Sequence, residues 1–366
     1  MRPYPLSHSP SLSRFTCLSH SPSLSRFTCL SHSPSPFATS RSHRMHPVNW
    51  ARFGLLAALW GCSFAFIKVS LHAFAPLQLA FGRLLVGAVV VSVILTVTKG
   101  SFPGRQVWGH IVVASVFGNV VPFTLFAVGE QHTTASVAGV IQGATPLVTL
   151  GLAAMAIRTE KPTARKVAGL VIGFAGLIVV VGPWHTDGFG SVGGQLACVG
   201  AAVSYAISFV YVRRFIAPYK IPALAVTAGQ LTSAMVITGL ITAFTVGWDL
   251  PGQLTAGPLL SLLVLGGAST GIAFALMNRL IADAGPTTAS GVNYLVPVFS
   301  VIVGASALGE SITWNVPVGG AVVIAALALA EGRLPLPARR AADSPVAQKV
   351  PQAADRSRTA ATREAC

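Results

Sequence analysis

Few side chains inside the long apolar runs of this 366-residue chain can do polar chemistry. Arg83 is the deepest charge, about six residues, or roughly 9 Å, into the second run. A charge at the centre of a bilayer costs about 2.5–3.5 kcal/mol, so an ion there faces protein or water and marks a functional site by default. Two readings of Arg83 stand. It supplies the counter-charge for a substrate carboxylate, or acts as a latch that changes partner between conformations. Alternatively it caps backbone carbonyls of a kinked neighbour. Lys68 lies about one turn from the end of the first run, and its stem is long enough to snorkel to the interface.

Asn119, Gln142, Gln230, Asn293 and Tyr294 are the large polar residues in the interiors of the third, fourth, seventh and ninth runs. An amide facing lipid is costly, so these point inward, to other helices or to a cavity. Asn293 and Tyr294 precede Pro297, which frees a backbone carbonyl; an unwound helix beside a cavity is a typical substrate platform. Trp60, Phe64, Tyr205 and Phe209 offer aromatic surface, with Trp60 and Tyr205 mid-helix rather than at an interfacial belt. Ser63 and Ser208 either bond substrate or serve as small residues at helix contacts. The candidate substrate-binding set is therefore Arg83, Trp60, Ser63, Asn119, Gln142, Tyr205, Gln230, Asn293 and Tyr294.

No carboxylate falls in the middle of a run. Glu130, Glu160 and Glu310 stand at run ends, and Asp187, Asp249 and Asp283 lie between runs. Proton coupling usually relies on a buried acid. Glu130, at the outer mouth, is thus the coupling candidate, unless the protein is a facilitator. Glu160 and Glu310 are expected to cap the N-termini of the helices that follow them.

Catalysis is not expected. There is no HExxH, GxSxG or paired-Asp motif, and His110 has no acid beside it. The five cysteines form no CxxC pair, so neither a zinc site nor a disulfide framework is expected, and no cofactor is implied. The net charge is +15, from 25 Lys and Arg against 10 Asp and Glu. These cations lie in two tails and in short gaps between apolar runs, which suits lipid head groups rather than nucleic acid. The expected partners are a lipid bilayer and a small-molecule substrate, with a homodimer left open. A membrane-embedded structural or receptor subunit is the competing reading, and it needs no polar cavity.

The elements that must hold these residues follow from composition. The chain is 52% hydrophobic and 10% charged, against about 25% charged in soluble domains. From Trp50 onward, apolar runs of roughly 20 residues alternate with short polar gaps, and about 20 helical residues cross a bilayer core. The fold class expected is an all-α polytopic membrane protein. Ten transmembrane helices are predicted, at about 51–71, 77–97, 107–128, 133–155, 167–183, 192–212, 221–247, 257–278, 286–308 and 312–330. Lys99 and Arg105 lie in the second gap, Arg158, Lys161, Arg165 and Lys166 in the fourth, Arg213, Arg214 and Lys220 in the sixth, and Arg279 in the eighth. The odd-numbered gaps hold no Lys or Arg. Even gaps and both termini are therefore expected in the cytoplasm of a bacterial inner-membrane protein.

Residues 1–48 are low in complexity: Leu6–Cys17 recurs unchanged as Leu18–Cys29. The expectation is disorder, or translation starting at Met45; an organellar transit peptide is the alternative. Residues 332–366 read as a disordered cytoplasmic tail.

The chain also repeats internally. Trp60, Ser63, Phe64 and Lys68 recur 145 residues later as Tyr205, Ser208, Phe209 and Arg213. Thr133-Thr134-Ala135-Ser136 recurs as Thr287-Thr288-Ala289-Ser290, each followed by a proline (Pro146, Pro297), an acid (Glu160, Glu310) and a glycine nine residues on (Gly169, Gly319). Five helices per half is odd, so the halves, 51–183 and 192–331, enter the membrane from opposite sides as inverted repeats. The Trp60-Gly61…Phe64…Lys68 stretch, Pro76 followed by Arg83, and the Ala-Ser…Pro…Glu…Gly order closing each half resemble the EamA domain of the drug/metabolite transporter superfamily, as two tandem copies. Arg158-Thr159-Glu160 departs from the usual small-residue-Gly-Glu, which Leu308-Gly309-Glu310 keeps. The resemblance implies transport of small metabolites such as amino acids, with export expected, by alternating access of the two repeats.

Overall fold

The structure, a computed structural model, describes residues 46–156, 163–181, 192–284, 289–331 and 333. The repeated N-terminal segment, Glu160 and the C-terminal tail lie outside the described residues. Among those residues there is no strand. Eight helices are long and apolar enough to cross a membrane: α1 Pro47–Ser70, α2 Pro76–Val97, α3 Arg105–His132, α4 Ala135–Ala153, α6 Val192–Tyr219, α7 Ala223–Thr245, α8 Ala256–Ala284 and α9 Gly291–Leu308. Between and after them lie α5, Ala164–Val181, and the shorter α10, Asn315–Ala330. Helices are the outcome lipid demands, because each segment then pairs its own backbone groups. Large apolar side chains such as Val93, Phe244 and Ile302 stay exposed on the outside of the bundle, the surface a membrane would cover.

Local chemistry sets the helix ends. Pro47 and Pro76 occupy the first turns of α1 and α2, where a missing N–H costs nothing. Gln78 accepts from Ala75 N (3.0 Å) and donates to Gly247 O (3.2 Å) and Asp249 O (2.8 Å), which binds the start of α2 to the end of α7. Thr134 caps α4 by accepting from Val137 N at 3.2 Å.

The principal packing partners are α5 with α10, α3 with α6, α2 with α7, α4 with α9, and α1 with both α8 and α9. Glycines allow the closest approaches. Gly61 of α1 lies against Phe299 and the Val296 carbonyl of α9, and Gly319 of α10 against the Gly176 carbonyl of α5.

Three helices widen locally into π-turns: α3 at Val116–Val120, α6 at Val212–Ile216 and α8 at Gly267–Ile272. Pro122 stands just after the first of these, in the first turn of the α-helical part that follows. It lacks an N–H, and the wider turn absorbs the register change. Pro297 also behaves differently from a mid-helix kink. The backbone winds as a 3₁₀ turn over Gly291–Tyr294, and Pro297 sits in the first turn of the α-helical part that follows.

Polar links between helix ends form two sets. Lys68 Nζ donates to the carbonyls of Glu130 (2.6 Å) and Thr133 (2.9 Å), and Glu310 accepts from Ala135 N (2.6 Å) and Ser136 N (3.0 Å). With Gln78, these tie the odd-numbered gaps together. Arg52 pairs with Asp283 (2.6 Å), Tyr294 donates to Glu331 (2.8 Å), and His110 meets Tyr211 (2.9 Å). These join the even gaps and the chain ends. α1 and α3 carry a member of the first set near one end (Lys68, Glu130) and of the second near the other (Arg52, His110), so among the described residues the two sets lie at opposite ends of the helices they join.

Candidate functional site

A cavity of about 480 Å³ opens between α1, α2, α3, α4, α6, α7, α8 and α9. Its lining reaches Ala217, Ile221 and Thr227 at the even-gap ends of α6 and α7, and stops at Ile67 toward the odd-gap face. There the Lys68 and Glu310 links hold α1, α3, α4 and α9 together.

Arg83 is the charged residue in this lining, buried to 8% exposure. Three elements hold it. Its own helix carries it, Thr270 Oγ1 of α8 accepts from its Nε at 2.9 Å, and the Phe123 ring of α3 lies 3.9 Å from Cζ. Thr270, within the π-turn of α8, is fixed in turn by donating to Leu265 O (2.9 Å). The guanidinium is therefore clamped along one edge and one face. Its terminal nitrogens have no protein partner and can donate to a ligand. Capping of carbonyls by Arg83, the alternative reading, is not what the structure holds.

Eight of the nine substrate-binding candidates line this cavity: Arg83, Trp60, Ser63, Asn119, Gln142, Tyr205, Gln230 and Asn293. Their hydrogen-bonding capacity differs. The side-chain amides of Asn119 and Gln230 have no protein partner. Gln142 accepts from Thr145 Oγ1 (3.4 Å), and Asn293 spends its N–H on Ser290 O (3.1 Å), leaving its oxygen to the cavity. Ser63 donates to Trp60 O of its own helix (2.6 Å) and Ser208 to Ala114 O of α3 (2.9 Å), so both hydroxyl protons are already spent on backbone. Aromatic rings form the walls. Tyr205 stacks on Phe209 with centroids 6.1 Å apart, and Trp60 meets Phe274 edge-on at 6.1 Å.

Tyr294 does not join them. Its hydroxyl is tied to Glu331, and Arg333 lies 5.3 Å from its ring, at the even-gap face. Tyr294→Phe should therefore leave the cavity lining unchanged while costing roughly 1 kcal/mol of stability, which thermal unfolding in detergent checks. Glu130 is also outside the lining. The sequence puts it at a mouth; the structure buries it completely. Lys68 does not snorkel but spends its ammonium on carbonyls. Glu310 caps α4, through Ala135 N and Ser136 N, rather than α10.

Sequence reasoning missed Thr270, Phe123, Thr145 and Asn278. Asn278 also lines the cavity, with an Nδ2 lacking a partner. The Gly267-Ala-Ser-Thr-Gly271 run was the available signal, since a stretch of small and polar residues invites a loosened turn.

Comparison with known proteins places this geometry. Residues 49–182 and 192–331 each match the EamA-like transporter family. The uncharacterized transporter YvbV of Bacillus subtilis is 24% identical, over 75% of this chain and 88% of its own. An uncharacterized transporter of Archaeoglobus fulgidus is 24% identical over 75% and 94%. The uncharacterized inner membrane transporter YedA of Escherichia coli K12 is 25% identical over 78% and 93%. A crystal structure with 22% identity shares the fold at a TM-score of 0.57, covering 77% of this chain and 96% of that one. With both halves matched, and with an all-helical architecture of membrane-length helices around a cavity that holds Arg83, the chain belongs to the EamA-like transporter family.

Proposed function

We propose that the protein exports small metabolites bearing a carboxylate, amino acids and related compounds, by alternating access. Arg83 carries this reading: a clamped guanidinium with free N–H donors, in a cavity whose other polar groups are neutral amides and hydroxyls. Such a site balances one negative charge, and the rings of Trp60, Tyr205 and Phe209 favour an apolar body on the same molecule.

Ten transmembrane helices in two inverted five-helix repeats, 51–183 and 192–331, complete the reading. The packing partners support it. Adding five to each helix number maps α1 on α8 to α6 on α3, and α1 on α9 to α6 on α4, while α2–α7, α4–α9 and α5–α10 map onto themselves. The π-turns of α3 and α8 are equivalent under the same exchange. The cation-bearing even gaps support a cytoplasmic placement of that face and of both termini in a bacterial inner membrane. The cavity then faces the cytoplasm in this conformation, as loading for export requires. One chain encloses it, so a homodimer is not needed for the site.

The test is a metabolite profile of cells lacking and overproducing the protein. Overproduction should raise the extracellular level of at least one monocarboxylate severalfold, and deletion should raise its intracellular level. No change in any acid, or a change confined to cations and sugars, would sink the reading.

A further inference from the structure

Glu130 is unused by the site just described, yet it is the most enclosed acid among the described residues. It has 0% exposure, and neither carboxyl oxygen has a hydrogen-bond partner. A carboxylate ion in such a place loses its hydration and gains no hydrogen bond, only the attraction of the nearby Lys68 and Arg83 cations, whereas the neutral acid loses far less. The charged and titratable groups facing it come from every element packed around it: Lys68 on α1, Arg83 on α2, Cys198 on α6 and Glu310 in the link from α9 to α10. On its own helix, His132 is exposed.

Lys68 is the informative neighbour. Its ammonium bonds the backbone carbonyl of Glu130 itself, at 2.6 Å, and that of Thr133, at 2.9 Å. It thus sits beside the acid while bonded to the end of α3. This contact ties α1 to α3 where the cavity is shut.

We propose that Glu130 is a proton-binding site that sets which end of the cavity is open. It holds a proton while the odd-gap end is closed, and releases it to water when that end opens. Loss of the proton leaves a carboxylate next to Lys68. The ammonium then turns from the two carbonyls to the carboxylate, which frees Thr133 O, at the turn from α3 into α4, from α1, and the charged pair draws water into the closed end. Protonation restores the tie. An acidic solution on the odd-gap side thus favours closure of that side and exposure of Arg83 to the other. The inference rests on the alternating-access reading, but it needs no knowledge of the substrate.

The test uses a full-length chain whose five native cysteines are replaced by alanine. Ser63→Cys places a reporter in the cavity, and Gln253→Cys, at an exposed odd-gap position, corrects for thiol reactivity at each pH. A membrane-impermeant maleimide is applied to right-side-out and to inverted vesicles. From the odd-gap face, the corrected rate at Ser63→Cys should rise with pH between about 5 and 8, by up to about tenfold per unit for a single linked proton. Glu130→Gln should hold the rate low and flat, with labelling from the even-gap face retained as proof of folding. Lys68→Met should hold it high and flat. Glu130→Asp, still an acid, should keep the pH dependence, and it decides the matter if Glu130→Gln does not fold. A flat parent rate, or a pH dependence unchanged in Glu130→Gln, overturns the proposal. No labelling from the odd-gap face at any pH would overturn alternating access as well.

Discussion

On the proposed reading, Arg83→Met all but stops transport. The expected fall is about 100-fold, or roughly 3 kcal/mol, because removing one partner of a desolvated charge pair leaves the other unpaired. Efflux is measured at matched amounts of protein in the membrane. Arg83→Lys should recover only part of the rate. Lysine keeps the charge but has no Nε to reach Thr270 Oγ1 and no planar face for Phe123. An Arg83→Met variant that transports at the parent rate would reduce the residue to a packing role and remove the main support for a carboxylate substrate.

Gly61→Val should leave no folded protein to assay. A Cβ at this position would overlap Phe299 Cβ and come within 2.9 Å of Val296 O and 3.2 Å of Ser300 N. Two of these three atoms are backbone, so relief requires α1 and α9 to part. Overpacking costs about 1–3 kcal/mol where side chains can yield, and more here. Gly54→Val, in the same helix with nothing within 4 Å, is the control and should be neutral. Size-exclusion profiles and thermal unfolding in detergent separate the two outcomes. Equal stability would mean that the α1–α9 approach is looser than described.

The contrast between these glycines shows what was legible in the sequence. Hydrophobic run length alone implies the membrane helices, because a bilayer accepts few other solutions. Depth in a run was enough to bring eight polar or aromatic candidates to one cavity, since each had to avoid lipid. What the sequence hid depends on partners far along the chain. Thr270, 187 residues from Arg83, reads as one more small polar residue until the π-turn aims it. Glu310 looked like a cap for its own neighbour, but its partners lie 174 and 175 residues away. Tyr294 was misjudged for a related reason. The 3₁₀ turn at Gly291–Tyr294 rotates it relative to Asn293, and only Asn293 meets the cavity.

The clamp on Arg83 has a thermodynamic consequence. Arg83 belongs to the first half of the chain and Thr270 to the second, so the bond between them is a gauge of how the halves sit against each other. A rearrangement that shifts α2 against α8 changes the pose of the guanidinium and, on the proposed reading, its grip on a substrate carboxylate. If the two open conformations of the proposed cycle place Thr270 differently against Arg83, their affinities differ, and a ligand shifts the conformational equilibrium only by that difference. The ratio of the two dissociation constants, measured from opposite sides of the membrane, would show how strongly cargo recognition biases the carrier toward one orientation.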